Sequence, residues 1–205
     1  MILNGDHLLS DRIYSAISQT AVLNKHFPML IKDGIPDIGL NIHSHFLTFF
    51  TSIGQHLGFA AVTECPVIWP NEAAKFGDIR ADSIWFDPHS LNPQVVVEFE
   101  RFERGDENKL RQKIENLALS TQAYPSLKLA LLVYWVRTGN APRSMDKIVE
   151  CYNSGFRRHG YKVRPAKTPL MIVKCVMRSN LDNAKLLFSE FLRDKRNEHL
   201  VHRSI

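Results

Sequence analysis

The chain has 205 residues, 44% hydrophobic and 23% charged, which is enough for one full core and excludes wholesale disorder. No apolar run approaches eighteen residues, and no basic-then-apolar leader precedes a small-residue cleavage site, so neither a membrane span nor a signal peptide is expected and the expected location is cytoplasmic. The net charge of +5 is uneven: residues 1–136 carry −4 and residues 137–205 carry +9, a balance that suits a phosphate-holding C-terminal third, although basic surface helices also serve solubility.

From the N-terminus, Leu8, Leu9, Ile13, Ile17 and Val22 recur at near-helical spacing and predict one helix over His7 to Phe27, which Pro28 helps to end. Asp33 to Asp37 reads as a turn. Ile38 to Leu57 then predicts a largely buried helix carrying Phe46, Leu47, Phe49, Phe50, Ile53 and Leu57, closed by Gly58. Its histidines His43, His45 and His56 suit Zn²⁺ better than Mg²⁺. Histidines on a packed helix are more often hydrogen-bonded structural residues, so they are left outside the site. Phe59 to Trp69 predicts a first strand, with Glu64 on the parity of Ala60 and Val62, and Pro66 argues for an edge or a bulge.

The stretch from Phe76 to Asn116 concentrates the chemistry. Ile79 to Phe86 predicts a strand on which Asp82 shares a face with Ile84 and Phe86. An acid there must reach a partner, water or a cation. Asp87 to Pro93 is turn-like, and Gln94 to Phe99 predicts a second strand from which Glu98 and Glu100 leave on one face. A hairpin can therefore bring Asp82, Glu98 and Glu100 together. Carboxylates held this close repel one another unless a hard cation lies between them, and Mg²⁺ or Mn²⁺ prefers such oxygen ligands. The competing reading is a solvated ladder of ion pairs made by Glu98, Glu100, Arg101, Glu103 and Arg104. Asp78 rivals Asp82, but it lies in the Gly77 turn rather than within the apolar strand.

The order Arg80-Ala81-Asp82 entering a strand, a hairpin, Val95-Val96-Val97-Glu98-x-Glu100, and then a polar helix resembles the PD-(D/E)XK nuclease superfamily. Its signature is an Asp on one strand and Glu-x-Lys on the next. The specific part of the match spans about forty residues, and Glu100 stands where the lysine usually stands. Some members carry Glu there, and others move the lysine to the following helix, where Lys109 and Lys113 lie one turn apart in this chain. The resemblance implies a restriction-endonuclease-like core with Asp82 and Glu98 as metal ligands. Glu100 would be a further ligand or the base, and Lys109 or Lys113 the electrostatic partner of the scissile phosphate.

Farther on, Leu110, Ile114, Leu117, Ala118 and Leu119 predict a helix over Asp106 to Ala123, with Lys109, Gln112, Lys113 and Asn116 as its polar stripe. Leu127 to Val136 reads as a central strand buried on both faces. Arg143 to His159 predicts an amphipathic helix closed by Gly160, Pro169 to Met177 a strand, and Leu181 to Arg196 a last helix. Cys65, Cys151 and Cys175 are distant, odd in number and without CxxC spacing, so they are expected as core thiols. Arg157, Arg158, Lys162, Arg164 and Lys167 are the candidates for nucleic-acid backbone contacts.

The expected fold is α/β, a mixed central β-sheet flanked by helices. A single domain is expected: N-terminal helices over 1–57, a catalytic sheet and helix over 58–136, and a basic part over 137–205. The expected function is Mg²⁺- or Mn²⁺-dependent hydrolysis of nucleic-acid phosphodiesters, DNA first, by a monomer or a homodimer. The alternative is a catalytically inactive nuclease-fold protein that serves as a nucleic-acid-binding or assembly subunit, for example of a mobile element or a defence system. A third reading is a purely structural or protein-binding module.

Overall fold

The valine run and the apolar run that follows it lie side by side at the centre of one sheet. In the computed structural model, which describes residues 4–69, 76–137 and 140–194, β3 (Pro93–Arg101) pairs in parallel with β4 (Leu129–Arg137) in the register Val97↔Leu131 and Glu98↔Leu132. Two antiparallel partners extend the sheet on the β3 side: β2 (Arg80–Phe86), then β1 (Ala60–Pro66) at the edge. On the other side β4 pairs in parallel with β7 (Leu170–Ser179), which pairs antiparallel with β8 (Leu186–Arg193). The result is a six-stranded mixed sheet in the order β1-β2-β3-β4-β7-β8. The fold is thus mixed α/β, as expected. Pro66 lies on an edge strand, the place where a missing N–H costs least.

One face of the sheet is covered by α1 (Asn4–Ser18), α2 (Thr20–His26), α3 (Pro28–Ile31) and α4 (Gly39–His56). The aromatic stripe of α4 carries that face. Phe46 stacks on Phe99 of β3 at 4.9 Å between ring centroids, and Phe49 stacks on Phe191 of β8 at 5.8 Å. Gly54 lets α4 approach β2 closely, since a Cβ there would sit 2.8 Å from the Trp85 ring and 2.7 Å from the Ala61 methyl. Gly54→Ala is therefore expected to lower stability by about 1–3 kcal/mol through overpacking, read as a drop in the urea midpoint. The opposite face packs α5 (Glu107–Ala123) and α6 (Met145–Ser154). Leu110, Ile114 and Leu117 of α5 share its core with Val96, Ala130 and Leu132.

Three predicted elements come out differently. The N-terminal helix breaks at Gln19, and Pro28 begins α3 instead of only ending what precedes it, because a first-turn proline lacks only an N–H that the helix would leave unpaired. The predicted helix over Arg143 to His159 stops at Ser154. Gly155, with φ 77° and ψ 173°, takes a conformation that suits only glycine, and β5 (Phe156–Arg158) then pairs with β6 (Tyr161–Val163). His159 (φ 49°) and Gly160 (φ 85°) form the two-residue turn of that hairpin, which is the real role of the glycine read as a helix cap.

The predicted last helix over Leu181 to Arg196 is strand β8 within its described part. Asn180 to Lys185 is a turn held by side chains, with Asn180 Oδ1 accepting the Asp182 N–H and Asn183 Oδ1 the Lys185 N–H. Pairing shifts from Val176↔Glu190 to Met177↔Phe188, so Ser189 is an extra residue in β8. That bulge separates buried Phe188 from buried Phe191 by three positions and imitates a helical repeat. Among the described residues no helix is long and apolar enough to cross a membrane.

Candidate functional site

Asp82 lies where the register of three strands aligns carboxylates. In the β1–β2 ladder Thr63 pairs with Ser83 and Cys65 with Ala81, which leaves Glu64 opposite Asp82. Glu64 has φ 50°, an uncommon left-handed conformation for a non-glycine residue, so β1 is distorted at this one position. In the β2–β3 ladder the pair Ser83↔Val97 is the last, and continuing its register sets Asp82 opposite Glu98. Asp82 does not continue the ladder through its backbone. Its side chain does so instead, with Oδ2 accepting the Phe99 N–H at 2.6 Å.

Lys113, near the middle of α5, closes the group from the other side. Its Nζ lies 2.9 Å from Asp82 Oδ2 and 2.6 Å from Glu98 Oε2. Glu98 is fully buried and Asp82 is 4% exposed. No hydrogen-bond donor of the described residues meets Glu98 Oε1. From the α4 face His43 reaches Asp82, with Nε2 3.6 Å from Oδ1, so Asp82 is flanked by groups from both faces of the sheet.

The electrostatics follow from this enclosure. Burial, reinforced by repulsion from Asp82, pushes the Glu98 carboxyl well above the usual range although Lys113 pulls against it. Burial also works against the Asp82 charge, but His43, Lys113 and the Phe99 N–H outweigh it and hold the group below its ordinary value. Burial would lower the pKa of Lys113, yet Glu98 and Asp82 raise it, so the ammonium is firmly charged. One cation thus faces two acids in a dry setting, and the net deficit of positive charge can be met by a metal ion.

The predicted residues separate clearly. Asp82, Glu98 and Lys113 are brought together. Glu100 leaves β3 on the Glu98 face one step farther out, half-buried, where its Oε1 accepts the Arg101 N–H. Lys109 is exposed and paired with Asp106 at 2.9 Å, so it is Lys113 that reaches the acids. Asp78 is exposed ahead of β2. Arg157, Arg158 and Lys162 lie on the β5–β6 hairpin, and exposed Arg164 and Lys167 follow it.

Two residues that the sequence reading left out of the site lie beside Asp82: His43, set aside there as a structural histidine, and Glu64, read only as a strand residue. Ligand atoms of His43, Glu64 and Asp82 all lie within 4.8 Å of one another, close enough for a single cation. His43 was legible in part, since it borders the buried stripe of Ile42, Phe46, Phe49 and Phe50 and so leans toward the sheet. Nothing in the sequence announces the left-handed backbone that accompanies Glu64. No family model matches the chain, and no curated protein or solved structure is significantly similar to it.

Proposed function

We propose that this chain is a metal-dependent nuclease of the PD-(D/E)XK type that hydrolyses phosphodiester bonds, with DNA as the first substrate to test. The observation that carries this reading is the convergence of Asp82 and Glu98, from adjacent strands, on Lys113 of the following helix. Glu100 fills the place of the strand lysine, and Lys113 supplies the charge from α5. This favours a working site over an inactive binding module, which has no need of a lysine held between two buried acids.

The donor set fits a hard divalent cation. Carboxylate oxygens predominate, with Asp82 and Glu98 buried and Glu64 exposed; Glu98 Oε1 meets no donor among the described residues, and His43 and Glu64 complete a group around Asp82. Asp82 would hold the ion together with His43 and Glu64, whose ligand atoms lie within reach of one cation, and Glu98 would be a further ligand on the side of Asp82 where Lys113 lies. When bound, it would polarise the scissile phosphate and acidify a water molecule. Lys113 holds positive charge where negative charge develops on the phosphate, and the surrounding apolar core strengthens that interaction by excluding water. Asp82, kept ionised below its ordinary pKa, is ready to ligate across the neutral range.

The imidazole makes this set more favourable to Mn²⁺ than carboxylates alone would be. His43→Ala is therefore expected to weaken Mn²⁺ binding by about 10–100-fold, with a smaller effect on Mg²⁺, as measured by calorimetric titration. Equal binding of Mn²⁺ by both proteins would remove His43 from the site. Cleavage of labelled DNA and RNA with and without divalent metal tests the function itself.

A further inference from the structure

We propose that Arg80 grips the substrate phosphodiester at the cation position, as a second phosphate-binding residue beside Lys113. The proposal rests on the nuclease reading above and names the group that holds the substrate on the β1–β2 side of the site.

Arg80 begins β2 two residues before Asp82, so the pleat sends both side chains from the same side of the strand. Across the ladder it is opposite Pro66, and the diagonal from that pair runs to Glu64. The guanidinium Nη1 accordingly lies 3.7 Å from Glu64 Oε2, too far for a hydrogen bond, and the Arg80 side chain stays 63% exposed. Glu64 in turn offers a carboxylate oxygen within 4.8 Å of ligand atoms of His43 and Asp82. Arg80 is thus one side chain removed from the cation position, with donors open to solvent.

The other cations of these elements are committed to protein partners. Lys113 is held between Asp82 and Glu98, and Lys109 is paired with Asp106. Arg101 lies over the Trp135 ring at 4.8 Å and is paired with both Asp37 and Glu103. Arg80 has only its loose pair with Glu64. Once Glu64 serves as a ligand, its charge is spent there and the guanidinium beside it lacks a counter-charge. A phosphodiester at the same position supplies that charge, and its two non-bridging oxygens match the planar fork of arginine. Because the Arg80–Glu64 pair is exposed, it contributes little to folding, so variants at Arg80 keep the fold.

The test is fluorescence anisotropy of the full chain with labelled duplex DNA in Ca²⁺ and in EDTA, with strand integrity checked on a denaturing gel. Calorimetric titration with Mn²⁺ in the absence of DNA accompanies it. Arg80→Ala is expected to weaken binding in Ca²⁺ by about tenfold to a hundredfold, the scale of hydrogen bonds between charged groups. In EDTA the loss should be about twofold at most, since Glu64 and Asp82 then repel a phosphate. Arg80→Lys should recover only part of the affinity, because an ammonium lacks the fork. Mn²⁺ affinity should be unchanged or higher in Arg80→Ala, which removes a neighbouring positive charge. Unchanged DNA binding by Arg80→Ala in Ca²⁺, or an equal loss in EDTA, would overturn the proposal. So would a tenfold loss of Mn²⁺ affinity, which would make Arg80 a support for Glu64 rather than a phosphate contact. Arg80-dependent binding without cleavage by the native chain in Mn²⁺ would contradict the nuclease reading and leave the Arg80 assignment standing. Cleavage with no Arg80 dependence of binding would do the reverse.

Discussion

Replacing Lys113 with methionine is expected to cost roughly 3–5 kcal/mol at pH 8, because it leaves Asp82 and Glu98 buried without their counter-charge. The cost should shrink as the solution is made acidic. Without Lys113 both carboxyls take up protons more readily in the fold. A group with a raised folded pKa contributes stability at low pH and loses it as pH rises through that value. The native protein keeps the Asp82 contribution across this interval, because its lowered pKa gives stability that fades only below the ordinary carboxylate range. Native and variant therefore converge toward acid, and urea midpoints at pH 5 and pH 8 should show it. An equal loss at both values would mean that methionine misfits the space rather than that charge is missing.

Glu98→Gln should separate activity from stability. Glu98 is fully buried, its Oε1 meets no donor among the described residues, and burial sets its carboxyl well above the usual range, so ionised Glu98 is a burden on the fold near neutral pH. The amide keeps the shape and removes the charge. Stability should be unchanged or higher, while cleavage should fall by at least about a hundredfold to a thousandfold, the scale for removing one preorganised electrostatic group. A matching loss of stability would make Glu98 a structural member of an ion pair and nothing more. Under the proposed function, a destabilising polar group kept in the core at the site is the expected trade between folding and function.

The sheet and the acids were legible in the sequence because they rest on short-range rules. Alternation placed Asp82 with Ile84, the valine run marked β3, and the unbroken apolar run marked β4 as central. Lys113 was legible only as one of two lysines a turn apart, since helical spacing gives a face but not how deep that face lies. The structure decides between them, because Lys113 is over the sheet and 17% exposed whereas Lys109 projects outward to Asp106. The C-terminal reading failed where non-local pairing overrides local pattern. The bulge at Ser189 gave β8 a false helical period, and the pairing of Phe156 with Val163 ended a helix that local spacing would have continued. His43 needed tertiary information of the same kind, since it approaches Asp82 from the opposite face of the sheet.

The most direct measurement is cleavage of labelled single- and double-stranded DNA and RNA by the full chain in Mn²⁺, Mg²⁺ or EDTA, beside Asp82→Asn. Cutting that needs metal and is lost in Asp82→Asn, with the fold retained by circular dichroism, is the predicted result. No cutting of any substrate in any metal, or cutting that survives both EDTA and Asp82→Asn, would contradict a nuclease site at Asp82, Glu98 and Lys113.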